Sequence, residues 1–193
     1  MHASLRTALI VAAVSSIATL RPHVAEAQAQ QAAPMPNFPA VGQAAPDFTA
    51  TATDSTGKNI PVSLSSLHGK VVVLAFYPLD RSRGCTAELT KFRDEYASFF
   101  GDGVVVLPTS IDTLQSHANW AKDAHFPFAM IADPKGEVAN KYASQSAEGK
   151  PFRRTVFVIG KDGKVAYVDG RFGALSQDAY DKLGAEIKKA KSN

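Results

Sequence analysis

The 193-residue chain has one cysteine, 45% apolar and 20% charged residues, and a formal net charge of +3. This composition is that of an ordinary globular protein long enough to bury a sizeable core, and a lone cysteine excludes an intramolecular disulfide framework or a zinc site of several cysteines. The small charge gives no electrostatic case for nucleic acid or an anionic membrane.

Residues 1–27 have the order of a secretory signal peptide. Arg6 supplies the positive start, Thr7 to Leu20 the apolar stretch, and Ala25-Glu26-Ala27 the small-x-small cleavage site. The apolar stretch is short for a membrane span, and no cysteine follows it to carry a lipid. The expectation is a cleaved, periplasmic or secreted chain without a stable membrane anchor, an uncleaved anchor being the competing reading. Residues 28–40 (QAQQAAPMPNFPA) lack apolar periodicity and read as a flexible linker. Residues 41–193 form the folded domain.

Within that domain, a short strand near Phe48 to Thr53, turn chemistry at Asp54-Ser55-Thr56-Gly57 and a returning strand from Ile60 to Leu64 predict an N-terminal β-hairpin. A helical turn closes at Gly69. Val71 to Tyr77 is apolar and rich in β-branched residues, as in a strand buried on both faces. Leu89, Phe92, Tyr96 and Phe99 then recur at helical spacing, predicting a helix from Cys85 to Phe100 that ends at Gly101 and Gly103. Val104 to Leu107 is another buried strand. Asp112-Thr113-Leu114-Gln115 reads as a capping box for a helix reaching His125. A strand from Phe128 to Ala132 precedes Asp133-Pro134, an N-cap with proline at the first helical position. Arg154 to Ile159 and Lys164 to Val168 flank Gly160-Lys161-Asp162-Gly163 as a hairpin. Ser176 is placed to cap a last helix with a basic end. This alternation is α/β, a central sheet covered by helices.

Cys85 falls where the loop after a buried strand enters the first turn of a helix. Unpaired N–H groups and the positive dipole end meet there and favour an anion. The thiolate is the nucleophilic form of cysteine, and helix starts are among the places where reactive thiols ionise. An ordinary thiol is a few per cent ionised at pH 7, and making it mostly thiolate takes roughly 2.7 kcal/mol. A helix start contributes about 0.3–1 kcal/mol, up to about 2, so a nearby cation must supply much of the rest. Arg83 and Arg154 are the two candidates, with Arg153 a competitor for the second place.

Pro78, Ser82 and Cys85 match the Pro-x-x-x-Thr/Ser-x-x-Cys motif of peroxiredoxins, and Phe76-Tyr77-Pro78 matches its lead-in. Gly84-Cys85-Thr86 and Phe92-Arg93-Asp94 most resemble the bacterioferritin-comigratory, or Q-type, branch. The resemblance runs from about Val41 to Lys189. It implies a thioredoxin-like fold and a thiol-dependent peroxidase for hydrogen peroxide and organic hydroperoxides, with no cofactor and no metal. In that reading Cys85 attacks the peroxide, Ser82 hydrogen-bonds it, Pro78 shields the thiolate, and Arg154, opening a strand beside the cysteine, is the cation. Glu88 is a supporting residue, or equally a plain helix-start charge. Arg83 stands where the branch usually has proline and reads as a solvated loop charge.

Many Q-type members carry a second, resolving cysteine five residues after the first, where this chain has Thr90. The expected chemistry is therefore of the one-cysteine kind. Its sulfenate is reduced by an external thiol, whether a thioredoxin-like protein, a glutaredoxin or a small thiol. A monomer or homodimer is compatible with this. The rival is a non-catalytic thioredoxin-fold binding or chaperone-like protein. Elsewhere signals are bland: His117 and His125 lie about 12 Å apart along one helix, too far to share a metal, and Trp120 and the phenylalanines read as core.

Overall fold

The computed structural model describes residues 36–147 and 149–193. Residues 1–27, expected to be a signal peptide, and residues 28–35 of the expected linker lie outside the described residues. Phe38, within the sequence-defined linker, sets its ring edge-on against Phe157 at 6.0 Å. An aromatic ring beside an apolar surface gains by leaving water, so the ordered packing begins slightly before Val41.

Seven strands form one mixed sheet in the order β2-β1-β5-β4-β3-β6-β7. They are β1 (Thr49–Thr53), β2 (Asn59–Ser63), β3 (Val71–Phe76), β4 (Val104–Ser110), β5 (Met130–Ala132), β6 (Thr155–Ile159) and β7 (Val165–Asp169). The β1–β2 hairpin is joined to the main sheet by antiparallel pairing of β1 with β5. β3, β4 and β5 run parallel, while β6 runs antiparallel to β3. Among the described residues, four α-helices flank the sheet: α1 (Arg83–Asp94), α2 (Leu114–Ala124), α3 (Glu137–Lys141) and α4 (Gln177–Ser192).

β3 is the central strand, and all six of its residues are buried. Val71, Val73 and Ala75 join one core with Leu89, Phe92, Trp120, Tyr180 and Leu183 from the helices. Val72, Leu74 and Phe76 join the opposite core with Phe48, Tyr142, Phe152 and Phe157. Alternation of side chains across a doubly covered strand gives this division. It leaves the C-terminal end of β3 as the place where a loop emerges between two packed layers.

Four local expectations need correction. The helix holding Cys85 ends at Asp94, and Tyr96–Phe100 continues as a wider π turn closed by Gly101. That turn points Phe100 into the core against Phe92, with ring centroids 5.2 Å apart. The N-cap of α2 is Thr113, whose hydroxyl accepts from the Ser116 N–H at 3.2 Å. Asp112 is committed elsewhere, to the Asp80 N–H and the Ser110 hydroxyl. Asp133-Pro134 form a turn rather than a helix start, and α3 begins after Gly136, whose φ of +70° suits glycine. The Asp133 carboxylate still accepts from the Ala139 N–H at 2.8 Å. Ser176 occupies the N-cap of α4 without a side-chain capping bond.

Candidate active site

The loop between β3 and α1 begins where Pro78, lacking an N–H, ends the ladder after the Tyr77 N–H donates to Thr109 O at 3.0 Å. Pro78 is half-buried. Ser82 is the N-cap of α1 by backbone geometry, and its carbonyl accepts the Thr86 N–H at 2.8 Å. Its hydroxyl makes no capping bond, so that oxygen is not committed to the helix. Cys85, in the first turn, is a free thiol with 0% exposure, packed with Leu89 and Phe92.

The register of β6 on β3 decides what faces this sulfur. Phe76 pairs with Thr155, so Arg154 stands at the mouth of the loop, and its carbonyl is held by the Phe172 N–H at 3.1 Å. The Arg154 Nη2 donates to Cys85 Sγ at 3.3 Å, while Nη1 pairs with Glu88 Oε2. One planar guanidinium thus engages the thiol and a carboxylate through different nitrogens, which its fork geometry permits. Burial opposes the charge on Arg154, but Glu88 first and the Cys85 sulfur second hold its pKa above the ordinary value. Glu88 is fully buried. Burial pushes its carboxyl up to about 7, against the opposing charge and hydrogen bond of Arg154. Its second oxygen, Oε1, has no hydrogen-bond partner. Glu88 is thus a buried acid at the helix start, paired with Arg154.

The three arginines separate cleanly. Arg83 is exposed at the helix start. Arg153 is exposed and donates to the Gln145 carbonyl at 2.7 Å. Arg154 alone of the three bonds the sulfur. Cys85, Ser82, Pro78, Arg154 and Glu88 all belong to the strand end, loop and helix start around this one point.

The structure gives Gly84, Asp80, Tyr77 and His117 places around the site that sequence reasoning did not assign them. A Cβ built on Gly84 would lie 3.1 Å from Arg154 Nη2, so glycine leaves room for the guanidinium to lie against the helix start. Asp80, Tyr77 and His117 form a buried polar cluster behind the loop. The Tyr77 hydroxyl donates to Asp80 Oδ1 at 2.7 Å, and His117 Nδ1 lies 3.0 Å from Oδ2. His117 occupies the buried face of α2 beside Trp120 and Ala121, and a titratable group on an apolar stripe was the available signal. Among the described residues, no group of three or more His, Cys, Asp or Glu side chains is arranged to hold a metal ion.

A buried cysteine at a helix start, bonded by a paired arginine on a sheet of this topology, is a reactive-thiol arrangement on a thioredoxin-like fold. Comparison with known proteins carries the class to a family. The AhpC/TSA family model matches residues 41–168, and the chain belongs to that family. Similar relatives include a putative peroxiredoxin bcp of Coxiella burnetii, 35% identical over 134 residues covering 66% of this chain and 86% of that one. A chloroplastic peroxiredoxin Q of Triticum aestivum is 37% identical over 128 residues, covering 66% of this chain and 57% of its own. Among solved structures, peroxidoxin BcpB from Mycobacterium tuberculosis is 32% identical, with a TM-score of 0.67 over 78% of this chain and 97% of its own. Enterococcus faecalis AhpC is similar in fold, with a TM-score of 0.70 at 22% identity, covering 80% of this chain and 94% of its own.

Proposed function

We propose that the chain is an exported one-cysteine peroxidase that reduces hydrogen peroxide and organic hydroperoxides, an external thiol closing the cycle. The observation that carries this reading is the 3.3 Å bond from Arg154 Nη2 to Cys85 Sγ, with the other guanidinium nitrogen tied to buried Glu88. A fixed cation at the sulfur meets the charge that develops on the leaving oxygen. The thiolate attacks one peroxide oxygen and the O–O bond breaks. The departing oxygen takes a proton as water or alcohol, and Cys85 remains as sulfenic acid. The Ser82 hydroxyl hydrogen-bonds the bound peroxide, and Pro78 keeps water from the sulfur.

No other cysteine is present in these 193 residues. The sulfenate therefore condenses with a thiol from outside, releasing water, and a second thiol frees Cys85 by exchange. That reductant is a thioredoxin-like protein, a glutaredoxin or a small thiol. The signal-peptide pattern of residues 1–27 supports export to the periplasm or beyond, and a mature N-terminus near Gln28 in protein from the native host is its mark.

One equivalent of hydrogen peroxide should add one oxygen to the mass of the reduced protein. A small thiol should remove it, and Cys85→Ser should abolish both events while keeping the fold. If the wild-type thiol reacts no faster than free cysteine, the non-catalytic binding or chaperone-like reading takes its place.

A further inference from the structure

We infer that Asp80, held by His117 and Ser116, is a positioning residue that clamps the Cys85 loop in its reactive shape; this rests on the peroxidase reading. The loop is not a relaxed chain. Arg81 adopts φ +59°, a left-handed conformation uncommon for a residue with a side chain, and such a residue persists only where its surroundings over-determine it. The residue before it is bonded on every side. Asp80 Oδ1 accepts from the Tyr77 hydroxyl at 2.7 Å, and Oδ2 accepts from the Ser116 hydroxyl at 2.6 Å. His117 Nδ1 lies 3.0 Å from Oδ2. The Asp80 N–H donates to Asp112 Oδ2 at 2.8 Å, and the same oxygen accepts from Ser110.

His117 ties this cluster to the sheet. Its Nε2 lies 3.2 Å from the Ile131 carbonyl while Nδ1 faces Asp80, so the ring bridges the loop to β5. The His117 and Asp80 side chains are 0% and 4% exposed. Polar side chains placed so deep are costly unless hydrogen-bonded, and these are bonded to α2 and β5 at once. The loop it grips carries Pro78 and Ser82 and delivers Cys85 to the fixed guanidinium of Arg154. Without the clamp, Arg81 relaxes, Ser82 drifts from the sulfur, and Cys85 becomes reachable from solvent.

Two rates at one sulfur test the clamp. Reaction of the reduced full chain with hydrogen peroxide reads the assembled site, and labelling by a bulky aromatic disulfide reads loop opening. Asp80→Ala and His117→Gln should slow the peroxide reaction by about tenfold or more and speed labelling by a similar factor. His117→Asn keeps a donor near the Nδ1 position, towards Asp80, and loses the one towards Ile131. Both rates should then stay within about threefold of wild type. Ser116→Ala, on a half-buried position, removes one bond to Asp80 and should shift both rates in the same opposed senses by about threefold, should the larger changes impair folding. Equal damage in His117→Asn and His117→Gln, or rates that fall or rise together, would show a merely structural role. A wild-type thiol inert to peroxide would sink the peroxidase reading instead, and the labelling rates would still report on the clamp.

Discussion

Replacing Arg154 with methionine tests the link between geometry and rate most directly. Methionine keeps much of the apolar stem and deletes the guanidinium, which bonds Cys85 Sγ at 3.3 Å and Glu88 through its other nitrogen. A hydrogen bond to a charged group contributes about 1.5–3 kcal/mol. At about 1.4 kcal/mol per tenfold, peroxide reduction should slow by roughly 10- to 150-fold. Stability should fall by less than the pairing suggests. Stranding an ionised Glu88 would cost about 3–5 kcal/mol, but burial already pushes that carboxyl up to about 7, so without Arg154 it takes a proton. The remaining loss is that of an unsatisfied neutral group, about 1–3 kcal/mol. Competition against a haem peroxidase for limiting hydrogen peroxide gives the rate, and urea unfolding gives the stability. Adding Glu88→Gln to Arg154→Met should leave the rate low, and Arg83→Met should change it by less than about twofold. A rate for Arg154→Met within twofold of wild type, or greater damage from Arg83→Met, would refute the assignment of the cation.

Two more tests follow from the same pair. The Glu88 carboxyl titrates near 7 in the folded chain against an ordinary 4.5, so between those values the folded state holds more protons than the unfolded. Its contribution to stability is most favourable below pH 4.5 and declines as pH rises through about 7, by about 3 kcal/mol in all. Glu88→Gln should flatten that slope in urea unfolding across the range, and an unchanged slope would assign it to other groups. Gly84→Ala should move stability and rate in opposite directions. It favours the helix by up to about 1 kcal/mol, yet its methyl at 3.1 Å displaces the guanidinium, slowing peroxide reduction by about three- to tenfold; an unchanged rate would mean that Arg154 has room to spare.

The elements that locate the sulfur were legible because their signals are local. An unbroken apolar run followed by helical spacing places Cys85 at a strand-to-helix junction whatever the rest of the chain does, and β3 and α1 stand there. Caps were less legible because neighbouring polar residues compete for partners. Asp112 and Thr113 are equal candidates in sequence, and the choice fell to Thr113 because Asp112 is drawn to Asp80, a contact made across the fold. Glu88 shows the same limit. Its spacing from Cys85 was visible, but its partner Arg154 comes from just before β6, 66 residues away. His117 was weighed only as a metal ligand and set aside because His125 lies too far along the helix to share one. A carboxylate partner in a loop 37 residues away leaves no mark in the helix itself.

The pairing of β6 with β3 has a kinetic consequence. Cys85 and Arg154 are separated by 69 residues, and no turn or helix can bring them together. Contacts of such long sequence separation form only after a large loop has closed, which makes them slow to appear. A refolding chain can recover the helix of Cys85 early and still lack its cation until the antiparallel pair zips into register. Slipping that register by one residue would turn Arg154 to the opposite face of the sheet. On the peroxidase reading, the arginine-paired sulfur is therefore absent from any partly folded chain in which β6 has not docked on β3, and strand registry acts as the timer that completes the site.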